Sequence, residues 1–249
     1  MFSLPVIYTH LGFMAIVAIS VYAQNVTGFA LALVLLGLVG LLDLVPLPDA
    51  ANAVTVLGIV NAAVFLYRRR PLNIEPAIKP AIVTGLLGTV VGMAVLSFLA
   101  ANAYGILKIL LGVCIVVCAL LLWRTAAPYP KTSGPRLFAV VGGLSGLMGG
   151  VFGAPGPPLV YAAYRQPWSM AVVQESLILS FGALGVLRAT VMIALGQFNM
   201  QALILTLEAI PVVLIVTFFA ANSPPPLPKE KMKTLVCGLL VCAGVGMLF

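Results

Sequence analysis

The chain has 249 residues, 62% of them hydrophobic and only 8% charged, with a formal net charge of +7 and a mean hydropathy of +1.18. That balance excludes a soluble globular domain and describes an all-α polytopic membrane protein whose main surroundings are a lipid bilayer. The basic residues are sparse and sit between apolar runs, as loop charges that set topology do, so no nucleic-acid partner is expected.

Pro5 to Leu42 is one apolar stretch, interrupted at Gln24-Asn25-Val26-Thr27-Gly28. It is too long for a single crossing, which takes roughly 20 residues. The N-terminus lacks the basic region and small-residue cleavage site of a signal peptide, so the first apolar segment is expected to be retained. A short acidic loop with Asp43, Pro46, Pro48 and Asp49 leads to a span over about Ala50 to Tyr67. Arg68-Arg69-Arg70, Pro71, Glu75 and Lys79 follow, then spans over about Pro80 to Leu99 and Tyr104 to Trp123, separated by a turn at Asn102.

The linker from Arg124 to Arg136 is polar and proline-rich and divides the chain near its middle. The next stretch, Gly142 to Pro158, reads GGLSGLMGGVFGAPGPP. Glycine relaxes backbone restraint and proline removes a donor, so this run breaks a helix at membrane depth. Irregular backbone there is tolerated where protein buries it or where it lines a watery cavity. Spans over about Ser169 to Leu195 and Met200 to Ala221 follow, joined by the uncharged turn Gly196 to Asn199. A loop from Ser223 to Lys233 leads to a last span ending at Phe249.

The two halves share this order: a broken stretch, then three ordinary spans. The third span of each ends in Ala-Ala-Asn, at Ala100 to Asn102 and Ala220 to Asn222, and the last carries a cysteine pair, Cys114 and Cys118 or Cys237 and Cys242. We therefore expect two membrane repeats, residues 1–125 and 126–249. If each broken stretch is a re-entrant hairpin, each half crosses three times and the repeats are inverted. Arg68 to Arg70, Lys79, Arg124, Lys131, Arg136, Arg165, Lys229, Lys231 and Lys233 then all fall on the cytoplasmic side, as the positive-inside rule requires. A single crossing at each break would put Lys229, Lys231 and Lys233 opposite Arg68 to Arg70.

Hairpins entering from opposite faces bring their tips, Gln24 to Gly28 and Val151 to Gly156, together near the midplane. A half-helix starting after each tip offers unpaired N–H groups and a positive dipole end, which suits an anion. Gly28, Gly153, Ala154 and Gly156 permit close approach, and Gln24, Asn25 and Thr27 add side-chain donors. Small residues at such places also serve tight helix crossing alone. Arg188, the only Arg well inside a span, complements an anion or snorkels to the nearer end. Gln174 shares its face, and Asn52 and Thr55 occupy the corresponding place in the first half. Glu208 and Glu175 are the candidates for proton coupling.

No metal-ligand cluster, cofactor motif or Walker A sequence is present, so neither a cofactor nor ATP hydrolysis is expected. Gly143-Leu144-Ser145-Gly146 matches the serine motif of an intramembrane protease, but the single His of the chain, His10, precedes it and no base follows. The cysteines read as ordinary packing residues.

The run from Gly143 to Tyr164, GLSGLMGGVFGAPGPPLVYAAY, resembles the signature of the TauE/SafE family of sulfite and sulfonate exporters, with Val26-Thr27-Gly28-Phe29-Ala30 as the weaker partner motif. Length, repeat layout and basic loops extend the resemblance over nearly the whole chain. It departs at the tip, where Ala154-Pro155-Gly156 stands in place of a glycine-rich segment. The resemblance implies secondary transport of small sulfur-containing anions, such as sulfite, sulfoacetate or other organosulfonates, across the inner membrane. An anion channel and a non-transporting assembly subunit are the alternatives, and the sequence leaves a homo-oligomer open.

Overall fold

A computed structural model describes residues 4–102, 104–123, 128–222 and 229–246. They form ten helices and no strand: α1 (Leu4–Thr27), α2 (Leu31–Leu42), α3 (Leu47–Arg68), α4 (Lys79–Asn102), α5 (Tyr104–Trp123), α6 (Pro135–Phe152), α7 (Pro157–Tyr164), α8 (Met170–Ala194), α9 (Met200–Asn222) and α10 (Lys229–Gly246), with a 3₁₀ turn at Pro76–Ile78. Six of them are long and apolar enough to span a bilayer: α1, α3, α4, α6, α8 and α9. Their outward positions are apolar too. Val83, Leu87, Val90, Val91 and Phe98 on α4, and Leu207, Leu214, Ile215 and Phe219 on α9, are exposed. An apolar belt of this size needs lipid around it.

Both broken stretches double back. A Cβ added at Gly12, early in α1, would touch Leu44, just after α2. In the second half, Tyr129 N donates to Arg165 O at 2.7 Å, Ser133 N donates to Gln166 Oε1 at 2.8 Å, and Phe138 stacks on Trp168. The chain therefore enters and leaves each hairpin at one end. The first break falls at the end of its sequence-based tip and just beyond it, since α1 runs through Thr27 and α2 starts at Leu31, and the second falls within its tip, between Phe152 and Pro157. Left-handed glycines terminate the order at both places, Gly28 at φ 88° and Gly153 at φ 70°.

The hairpins insert from opposite ends of the bundle. α3 and α9 run side by side in the same direction. Asn199 Nδ2 donates to Asp49 Oδ1 at 2.6 Å near their starts, and the Arg68 guanidinium lies 4.3 Å over the Phe218 ring near their ends. α1 and α9 are also parallel, held by His10–Glu208 at one end and Asn25–Thr217 at the other. α4 and α6 pair likewise, Ala81 against Gly142, Gly85 against Gly146 and Gly92 against Gly150. Hairpin α1–α2 thus has its base at the end bearing Asp43 and Asp49. Hairpin α6–α7 has its base at the end bearing Arg68 to Arg70, Lys79, Arg136 and Arg165. We call these the acidic and basic ends.

The α4–α6 contact is backbone on backbone. A Cβ at Gly88, Gly92, Gly142, Gly146 or Gly150 would collide with main-chain atoms of the other helix. Van der Waals packing and the absence of side chains replace the hydrophobic effect as the cause of association inside lipid.

Cys114, Cys237 and Cys242 are free thiols, and no cluster that could hold a metal occurs among the described residues. The side chains of Lys108, Cys118, Lys229, Lys231 and Lys233, and residues 124–127 and 223–228, lie outside the described set.

Candidate functional site

Both hairpin tips and the middles of α3, α4 and α8 line one small space of about 40 Å³. At roughly 10–15 Å³ per water, it has room for about three waters or one compact oxyanion head. Gln24, Phe29 and Ala32 come from the first hairpin, Gly153 and Pro155 from the second, and Thr55, Thr89 and Arg188 from the surrounding helices.

Arg188 settles the choice between snorkelling and burial, since it is 3% exposed. Its guanidinium donates to Thr55 Oγ1 at 2.5 Å, Ala51 O at 3.2 Å and Gly150 O at 3.4 Å. These partners and Met192 Sδ are neutral, and among the described residues none of its bonds is to a carboxylate. A cation held this way in a bilayer is costly unless an opposite charge balances it.

Arg188 also borders a second cavity, of about 450 Å³, on the acidic-end side. Asn52 lines this vestibule rather than the midplane space, and its Nδ2 donates to Gln197 O at 2.8 Å.

The other sequence candidates are placed as follows. Gln24 lines the small cavity, and its Oε1 accepts from Leu31 N at 3.0 Å, capping α2 across the break. Asn25 faces the opposite way, donating to Thr217 Oγ1, which in turn donates to Asn61 Oδ1. Thr27 bonds its own helix at Ala23 O. Gln174 Nε2 donates to Val26 O, and Tyr164 Oη donates to Thr27 O at 2.6 Å. Both hold the first tip in place from outside. Ala154 is buried, but neither it nor Gly156 lines either cavity. Ser145 Oγ is buried without a hydrogen-bond partner, and nothing beside it could activate a nucleophile.

The two tips are not equivalent. α7 begins with Pro157 and Pro158, which have no N–H to offer, so the second tip contributes shape more than donors. At the first tip, Leu31 N is already taken by Gln24, and the next N–H groups of α2 begin at Ala32, which lines the cavity. The electrostatic pull on an anion therefore comes mainly from Arg188.

Glu175 is buried near the basic end, where its Oε2 accepts from Asn73 N at 2.7 Å. It anchors the α3–α4 loop, and Ser176 Oγ does the same for Glu75 N. Glu208 lies 2.5 Å from His10 Nδ1 on the α1–α9 face, one turn before Pro211. The sequence places His10 and Glu208 198 positions apart, and no local signal joins them.

Gly153 gives a direct test of tip geometry. Its φ of 70° is in the left-handed region, and a Cβ there would meet Ala51 O at 2.9 Å and Thr55 Oγ1 at 3.2 Å. Gly153→Ala is expected to cost at least about 1–2 kcal/mol in stability from backbone strain alone. Gly156→Ala, whose Cβ would meet only Val160 at 4.0 Å, is expected to be nearly neutral. Thermal unfolding of the two variants side by side checks this.

The family model for "Sulfite exporter TauE/SafE" matches residues 12–247. A protein named "Probable sulfite/organosulfonate exporter TauE", from Cupriavidus necator, is 31% identical over 238 residues, covering 96% of this chain and 93% of the relative. No solved structure matches. The family match takes in both hairpins, Arg188 and all three spans after each break. On that evidence the chain belongs to the TauE/SafE sulfite exporter family, whose members are multi-pass membrane transporters rather than enzymes.

Proposed function

We propose that the chain is a secondary transporter of small sulfur-containing anions, sulfite or organosulfonates, and that the anion binds beside Arg188 between the hairpin tips. The observation that carries this is Arg188 itself, a buried guanidinium with only neutral partners, bordering both cavities. The name of the Cupriavidus relative supports the substrate class. The basic end corresponds to the cytoplasm and the acidic end to the outside by the positive-inside rule.

The packing supports reading residues 1–125 and 126–249 as inverted repeats. α1 packs on α9 as α6 packs on α4, and α3 packs on α9 as α8 packs on α4. Alternating access then follows from movement of one hairpin-bearing body past the other. Uptake of radiolabelled sulfite into proteoliposomes tests the function. Saturable uptake that depends on an imposed gradient supports a carrier, and conductance without such dependence supports a channel. A folded, inserted protein that moves no anion leaves the assembly-subunit reading.

Proton coupling is assigned to the His10–Glu208 pair in preference to Glu175, whose carboxylate is committed to Asn73. The His10 imidazole and the Glu208 carboxylate lie 2.5 Å apart between α1 and α9, a distance across which one proton can pass. Since α1 also carries the first tip, the pair is mechanically joined to the site. Glu208→Gln is expected to remove the stimulation of uptake by a proton gradient while sparing anion-induced thermal stabilisation. Stimulation that survives in Glu208→Gln assigns coupling elsewhere.

A further inference from the structure

The vestibule beyond Arg188 is about 450 Å³, some ten times the midplane space, and inorganic sulfite leaves most of it empty. Its wall is chiefly aliphatic and aromatic, with Leu36, Leu47, Leu96, Leu111, Val151 and Phe152. Asn52, Ser97 and Gln197 supply the polar part, and Arg188 is the one charged residue among its lining. A ligand with a second negative charge finds no second cation there. The carboxylate next in sequence to the lining Pro48, Asp49, is buried and accepts from Asn199 Nδ2.

We infer that this vestibule is the tail pocket of the transport site, and that the preferred cargo is a monoanionic sulfonate with a short apolar tail. The inference rests on the transport reading and narrows its substrate class. The sulfonate oxygens meet Arg188, and the hydrocarbon lies against the leucines and Phe152. Burying three further methylenes there favours butanesulfonate over methanesulfonate. A dianion such as sulfoacetate must instead strip a carboxylate of water against the same apolar wall.

The full-length protein is purified in detergent and titrated with methanesulfonate, butanesulfonate and sulfoacetate, with thermal stabilisation as the binding readout. The same anions then compete against radiolabelled sulfite in proteoliposomes. Butanesulfonate is expected to act at roughly fiftyfold lower concentration than methanesulfonate, and at lower concentration than sulfoacetate. Gln197→Lys, which sets a cation at the rim without touching the core, is expected to bring sulfoacetate level with butanesulfonate. Sulfoacetate equal to or better than butanesulfonate in the unaltered protein overturns the inference. So does butanesulfonate stabilisation that persists undiminished in Arg188→Met, since any detergent or lipid tail would then serve. Binding is read apart from flux, so an absence of sulfite uptake sinks the transport reading while the order of the three anions still decides the tail pocket.

Discussion

Arg188→Met is expected to abolish saturable anion uptake and, at the same time, to make the anion-free protein more stable. The two effects have one cause. The guanidinium is desolvated, and its hydrogen-bond partners are the neutral Thr55 Oγ1, Ala51 O, Gly150 O and Met192 Sδ. Replacing it with an apolar chain of similar length removes a buried charge. Thr55 Oγ1 still donates to Ala51 O at 2.8 Å, which leaves the Gly150 carbonyl as the one partner to be satisfied anew. Replacing buried charges with apolar groups is commonly neutral or stabilising, by about 1–4 kcal/mol where measured for ion pairs. The anion, by contrast, loses its only cation. Two charge-assisted hydrogen bonds at about 1.5–3 kcal/mol each amount to at least about 3 kcal/mol, or roughly a hundredfold in affinity. Thermal unfolding with and without sulfite, alongside proteoliposome uptake, reads both effects. A residue with a purely structural role would lower stability when removed, and that result would rule out the site as drawn.

Gly146→Val is expected to give the largest loss of folded protein of any single substitution on α6. The Cβ it adds would overlap the Gly85 carbonyl on α4, and the backbone atoms around it belong to a continuous helix. Overpacking in a side-chain core costs about 1–3 kcal/mol because rotamers can shift. Here no rotamer is available, so the two helices must separate along their length. The loss should exceed that range and appear as aggregated protein on size exclusion. Gly105→Ala, at a position with nothing within 4 Å, serves as the control and should behave as the parent does. A monodisperse, stable Gly146→Val protein would mean that α4 and α6 do not meet at this glycine.

The run of apolar segments was legible in the sequence because membrane spans follow from length and hydropathy alone. The break at Gly142 to Pro158 was legible because glycine and proline act locally. The site itself was only partly so. Arg188 stood out by charge, but whether it snorkels or is buried depends on α3 and α6, which come from distant parts of the chain. The N–H donors expected at the second tip are removed by Pro157 and Pro158, a fact present in the sequence and outweighed there by the helix-terminus argument. Asn25, Thr27 and Gln174 hydrogen-bond to Thr217, Ala23 O and Val26 O, since a polar residue near a break can serve the protein's own groups as readily as a ligand. The spacing of Gly85, Gly88 and Gly92 carried a signal for the α4 crossing, but three glycines in an apolar run do not name their partner. The His10–Glu208 pair had no local signature at all.

The glycine crossing also bears on how the protein is made. The smooth stripe on α4 is covered chiefly by α6, and Gly150 is translated 58 residues after Gly92. At roughly 5–20 residues per second, that stripe waits several seconds beside the translocon with no partner. During this interval any other small-residue helix is a competitor, including α4 of a second nascent chain on the same polysome. Productive assembly is thus a race between the ribosome and a neighbour. Slowing elongation within codons 93–150 should favour intertwined pairs of chains over the correctly closed one.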